Sequence, residues 1–129
     1  MSHPSHGKIH YVELPSRDLA ATKLFFRQAF GWGFTDYGPD YAAITGAGLD
    51  GGFFQAATPA HSRNGSALVI LYSDDLEATL AQVEAAGGVI EQAIFHFPGG
   101  RRFHFIEPGG SELAVWSQAV DEGAPAATH

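Results

Sequence analysis

Glu13, His104 and Glu112 are the side chains in this sequence best suited to chemistry. A carboxylate accepts a ligand hydrogen bond, and works as a base once burial raises its pKa. Histidine changes charge near neutral pH and also ligates metals. His104 therefore suits acid–base work, or a displaced metal shared with Glu13 and Glu112. Arg102 carries a planar fork that matches a carboxylate, beside a second basic residue, Arg101. Tyr11, Tyr72 and Trp116 offer rings that stack on a planar ligand, and Leu68 adds apolar wall. His96, between Phe95 and Phe97, is placed at the mouth of such a site. His3, His6, His61 and His129 fall in loops or tails.

Other chemistries are excluded by what is missing. The chain has no cysteine, so it has no disulfide framework, thiolate metal site or cysteine nucleophile. Residues 46–52 are glycine-rich but lack the Lys-Ser/Thr ending and the following helix of a phosphate loop. No nucleophile elbow or Ser-His-Asp pattern is visible.

The elements that position these residues come from a repeat. At an offset of 57, nine of the 21 positions from Tyr11 to Gly31 are identical to those from Leu68 to Gly88. Each copy opens with a strand, residues 9–14 and 67–72. Each then meets a helix start, at Ser16 or Asp18 and at Ser73 or Asp75. Leu19, Thr22, Phe26 and Phe30 share one helical face; Leu76, Thr79, Leu80, Val83 and Ala86 share another. Leu24 and Phe25 lie off the first stripe and suit a module or subunit contact. Gly31 and Gly87-Gly88 stop the helices.

Three short strands follow each helix. They span 32–35, 41–45 and 51–56 in the first copy, and 89–94, 101–106 and 112–117 in the second. The expected class is α+β: two tandem βαβββ modules forming a curved mixed sheet around a cleft, with the helices outside. The expected boundaries are a flexible tail 1–7, one domain 8–117 and a flexible tail 118–129. Within the domain, module one is 8–56, the linker 57–66 and module two 67–117.

Strand alternation then predicts which side chains face the cleft. The apolar residues common to both copies, Val12/Val69 and Leu14/Leu71, belong under the helices. So do Phe103, Phe105, Leu113 and Val115. The opposite face then carries Tyr11, Glu13, Leu68, Tyr72, Arg102, His104, Glu112 and Trp116.

Charge and length add limits. One domain fits 129 residues. The formal charge of −7 and the lack of a basic stripe exclude a nucleic-acid binder. It also favours a neutral or cationic ligand. No apolar run is long enough for a membrane span, and the first residues are polar rather than a signal peptide. A cytoplasmic protein is expected.

The segments Ser16-Arg17-Asp18-Leu19 through Phe25-Phe26-Arg27-Gln28-Ala29-Phe30-Gly31-Trp32, and Arg102 through Leu113 with its Glu107-Pro108-Gly109-Gly110 turn, resemble the vicinal oxygen chelate superfamily. That group includes glyoxalase I, extradiol dioxygenases, and fosfomycin- and bleomycin-resistance proteins. The resemblance spans residues 8–117 and implies paired βαβββ modules. In many members it also implies a metal held by one ligand from each of four strands. Carried onto this chain, those positions are Tyr11, Leu68, Ala114 and a residue within 52–54. A divalent ion needs several oxygen or imidazole donors, and these residues supply almost none. No cofactor is therefore expected, although a displaced divalent metal is conceivable on Glu13, His104 and Glu112. The leading expectation is a glyoxalase/bleomycin-resistance-like protein, a homodimer, binding a small organic molecule between its modules. The alternative is a lyase, isomerase or dioxygenase with catalytic Glu13 and His104.

Overall fold

The structure, a computed structural model, describes residues 3–119. Its elements are β1 (Tyr11–Ser16), α1 (Leu19–Phe30), β2 (Gly33–Asp36), β3 (Tyr41–Thr45) and β4 (Asp50–Gln55). A short 3-10 turn (Ser62–Asn64) leads to β5 (Val69–Tyr72), α2 (Leu76–Ala85), β6 (Val89–Phe97), β7 (Gly100–Ile106) and β8 (Glu112–Gln118). This is α+β, with strand–helix–strand–strand–strand written twice. Hydrogen bonding divides the strands into two four-stranded mixed sheets, β1-β4-β3-β2 and β5-β8-β7-β6. In each, the first and last strands of a module run parallel, and the other pairs are antiparallel. β6 runs three residues beyond the expected strand, with register shifts between Ile90 and Gln92 and between Gln92 and Phe95. The expected tails fall partly outside the described residues, and Gln118 closes β8.

The residues common to the two copies build the helix starts. Asp18 accepts from the Ala21 N–H, and Asp75 from the Ala78 N–H, both at 3.1 Å. A side-chain acceptor here satisfies one of the helix's orphan donors. The Asp18 N–H donates to Ser16 Oγ, and the Asp75 N–H to Ser73 Oγ. Ser16 then meets Thr22, and Ser73 meets Thr79, each at 2.7 Å. Thr22 and Thr79 are thus part of a polar lock, not of the apolar stripe. α1 ends at Gly31, whose φ of 74° lets its N–H reach back to the Arg27 carbonyl.

α1 buries two faces. Phe26 stacks on Trp32 at 4.4 Å and meets Phe53 of its own sheet at 5.3 Å. Phe25, off the expected stripe, is 1 % exposed and meets Phe105 of module two at 5.6 Å. It makes the module contact expected of it, whereas Leu24 is exposed. Phe103, Phe105, Leu113 and Val115 complete one continuous core with Leu14, Leu76 and Val83.

Candidate functional site

The strands of module one carry a hydrogen-bonded chain on the face away from α1. Tyr11 and Glu13 are two apart on β1 and both exposed, while Val12 between them is half-buried and Leu14 beyond them is buried. Tyr41 Oη donates to Glu13 Oε2 at 2.9 Å, and Tyr11 Oη lies 2.5 Å from Tyr41 Oη. Tyr41 has one proton and gives it to the carboxylate, so Tyr11 donates to Tyr41. Burial, then the bonds to Tyr11 and Glu13, push the Tyr41 phenol well above its ordinary value.

Tyr41 reaches β1 by crossing β4 above Gly52. Glu13 and Ala43 flank Gly52 in the registers of β1 and β3. A Cβ on Gly52 would overlap the Tyr41 hydroxyl. Gly52→Ala should therefore push Tyr41 off the sheet and break the chain. Ultraviolet titration checks this: the tyrosine that ionises last in the wild type should ionise earlier in G52A. An unchanged late ionisation would contradict it.

Module two presents a different surface. His104 Nδ1 lies 2.8 Å from Glu112 Oε2, and both residues are nearly buried, at 3 % and 5 % exposure. The linker covers them: the Ser62 N–H donates to Glu112 Oε1 at 2.7 Å, and the Glu112 N–H to the Ala60 carbonyl at 2.8 Å. Burial alone would raise the Glu112 carboxyl, but the His104 and Ser62 hydrogen bonds outweigh it and hold it below its ordinary 4.5. His104 Nε2 is buried without a partner.

A depressed folded pKa means stability present above the unfolded value and lost as pH falls through the folded one. The stability gap between wild type and Glu112→Gln should therefore be fully open above about pH 5 and close on further acidification. Urea unfolding at several pH values measures it; a gap independent of pH would contradict the pairing.

Beside this pair the open face is aromatic. Trp116 meets Tyr72 edge-on at 5.2 Å and Phe97 at 6.3 Å. Arg102 lies over Phe95 at 5.4 Å and Phe97 at 5.6 Å. Ile70, Phe97, Arg102 and Trp116 line a cavity of about 270 Å³. Tyr11 lines another, of about 320 Å³, with Thr35, Tyr37, Thr45 and Asp50. A third, of about 530 Å³, is largely apolar and borders β1 and β5 at Val12, Leu14, Val69 and Leu71.

The expected site residues thus lie on two faces. Tyr11 and Glu13 meet through Tyr41. Tyr72, Arg102 and Trp116 come together on module two, and His104 pairs with Glu112 beneath the linker. Leu68 lies one residue before β5 and is half-buried, and His96 is exposed beside Arg101 in register. The displaced metal site is not formed: Glu13 is not brought to His104 and Glu112, and no group of three or more His, Cys, Asp or Glu among the described residues could hold an ion. The four-strand centre does not fit either. Leu68 and Ala114 carry no donor, and Tyr41 occupies the space over Gly52 that a ligand side chain would need. The sequence reading missed Tyr41; a glycine at the centre of β4 was its one signal. It also missed Phe95 and Phe97 as walls, which their shared parity indicated.

This topology and duplication agree with comparison. A profile of the Glyoxalase/Bleomycin resistance protein/Dioxygenase superfamily matches residues 8–115. The chain belongs to this superfamily. The anthracycline biosynthesis protein DnrV of Streptomyces peucetius is 30 % identical over 136 residues, covering 92 % of this chain and 50 % of DnrV. The chain spans about half the length of the curated relatives it matches. Among solved structures, a glyoxalase-related enzyme from Fulvimarina pelagi superposes with a TM-score of 0.70 at 20 % identity, covering 87 % of this chain and 88 % of the other. TnmS3, an antibiotic-binding protein from Streptomyces sp. CB03234, superposes with a TM-score of 0.65 at 19 % identity, covering 91 % and 100 %. No helix among the described residues of this superfamily member is long and apolar enough to cross a membrane.

Proposed function

We propose that this superfamily member is a cytoplasmic receptor for a planar, polycyclic organic molecule, held directly by side chains rather than through a metal ion. One observation carries the reading. The strand positions that would hold a metal are Tyr11, one of residues 52–54, Leu68 and Ala114, while the same faces carry aromatic rings in contact and hydrogen-bonding groups. An antibiotic-binding structural neighbour and a relative named for anthracycline biosynthesis support that ligand class. The ring system would lie against Trp116, Tyr72 and Phe97, with the Tyr11–Tyr41–Glu13 face opposite.

That opposition needs a second copy. Tyr11 and Trp116 line different cavities within one chain, and the curated relatives are about twice as long. Two chains pairing face to face would bring a module-one face over a module-two face. Sedimentation should give twice the chain mass; a monomer at micromolar concentration would contradict the pairing. Isothermal titration with an anthracycline should show saturable binding of the chelator-treated protein, unchanged by added divalent metal. Binding that requires the metal would overturn the receptor reading.

A second reading has its own observation. Glu112 orients His104 through Nδ1 and leaves Nε2 without a protein partner, an arrangement suited to a general base or acid. Under this reading the superfamily member is a metal-independent lyase or isomerase. His104→Gln would then abolish turnover of a bound ligand while binding persists.

A further inference from the structure

We infer that Arg102 and the rings around it form a subsite for the anionic edge, a carboxylate or phenolate, of a planar aromatic ligand. The inference deepens the receptor reading above and rests on it.

Lys8, Arg17, Arg27 and Arg63 are exposed to water, so the half-buried basic side chains are the ones to set beside Arg102. Of these, Lys23 pairs with Asp36 at 2.8 Å and Arg101 with Glu77 at 2.5 Å. With fourteen Asp and Glu against seven Lys and Arg, carboxylates are in excess. Yet Arg102 makes no ion pair and no side-chain hydrogen bond with the described residues, and its Nε is buried without an acceptor. A half-buried guanidinium with no acceptor is costly to keep.

What holds it there is stacking. The guanidinium carbon lies over the Phe95 and Phe97 rings. Stacking on ring faces fixes the plane of the fork and leaves its N–H groups to donate at the edge. The Arg102 side chain borders the cavity of about 270 Å³ that it shares with Ile70, Phe97 and Trp116. His104 Nε2, a second buried atom without a partner, lies on the same side, its ring 5.7 Å from Phe95. A flat ring against Trp116 and Phe97, with an acidic group toward Arg102, would supply the acceptor that the protein withholds. An isolated ring would fill the space without meeting the guanidinium, and a cation would be repelled by it. The overall charge of −7 acts against an anion only from a distance. Beyond about 10 Å salt screens it, whereas a contact pair at a desolvated arginine is screened far less.

The test uses two probes with one ring system, 2-naphthoate and 2-naphthamide. Binding to the full chain is followed through the indole N–H signals of Trp116 and Trp32, assigned with Trp116→Phe. Naphthoate should move Trp116 saturably and bind at least tenfold tighter than naphthamide, with its affinity falling as salt rises. Arg102→Gln should lower naphthoate to the affinity of naphthamide and leave naphthamide unchanged. Arg102→Lys, which keeps the charge but not the stacked fork, should fall between and covers the case in which Gln impairs folding. Equal binding of the two probes, undiminished naphthoate binding in R102Q, or no naphthoate binding would overturn the subsite. Equal binding at Trp116 leaves the receptor reading standing. Failure of both probes together with failure of an anthracycline removes that reading as well.

Discussion

Glu107→Ala should lower the melting temperature by roughly 10–15 °C, the largest stability effect of any single substitution outside the aromatic core. Glu107 is 1 % exposed at the turn between β7 and β8. Its carboxylate accepts from Thr22 Oγ1 at 2.7 Å, the Gly109 N–H at 2.7 Å and the Ser111 N–H at 3.1 Å. Ser16 gives its proton to Thr22, which has already given its own to Glu107, so the bonds run in one direction from the start of α1 into module two. The Arg17 N–H to the Gly109 carbonyl and Ser111 Oγ to the Pro15 carbonyl close the same junction.

Alanine at 107 would strand three buried donors, each costing about 1–3 kcal/mol. Burial raises the Glu107 carboxyl, against the pull of Thr22, Gly109, Ser111 and Arg17, so the ionised form is held by these donors and not by water. The duplicated lock in module two, Ser73–Thr79, has no carboxylate partner among the described residues. Thr22→Ala should therefore cost clearly more than Thr79→Ala. Calorimetry on the three variants measures this, and equal losses for the two threonines would show that Glu107 does not join the modules.

Trp116→Ala should weaken binding of a polycyclic aromatic ligand by about 30-fold while leaving the fold intact. The indole is only half-buried in the free chain, so its loss opens no sealed cavity. In a complex it would bury on the order of 40 Å² more against a flat ring, worth about 1 kcal/mol, and stacking adds about 1 kcal/mol to that. Together these come to the 2 kcal/mol or so that a 30-fold loss represents. Trp116→Phe should recover most of the affinity. Trp32 is the internal control: it is stacked on Phe26 in the core, with 6° between the rings. A W116A variant with undiminished affinity would place the ligand elsewhere, and the apolar cavity between β1 and β5 would be the next place to look.

Much of the fold was legible because the duplication repeats the residues that make local structure. Ser16, Asp18, Leu19 and Thr22 return as Ser73, Asp75, Leu76 and Thr79; the aspartates cap both helices, the Ser–Thr pairs bond at both, and both leucines are buried. Strand parity separates the core positions Leu14, Phe103 and Phe105 from the exposed Tyr11 and Glu13, but His104 and Glu112, expected on the open face, are buried. Parity gives a face, however, and not what else covers it.

The Pro, Ser, Asn and Gly content of residues 57–66 marks a linker and nothing more. This segment buries Ala60 and seals His104 and Glu112 through one backbone N–H and one carbonyl, neither of which has a side-chain signature. Tyr41 was missed for a related reason. Its role depends on crossing β4 diagonally, possible only because Gly52 has no side chain, and periodicity along one strand does not report contacts across two. Phe25, set off the buried α1 stripe by its spacing, is buried with it and makes the expected module contact, because a helix held between two modules buries a wider face.

The most direct test of the account is a crystal structure of the chain grown with an anthracycline and excess manganese, with diffraction measured for anomalous scattering. Ring density should lie against Trp116 and Phe97, with no anomalous peak beside Tyr11, Gly52, Leu68 or Ala114. A manganese peak at those strands, or the ligand bound only through such an ion, would contradict direct capture by the side chains.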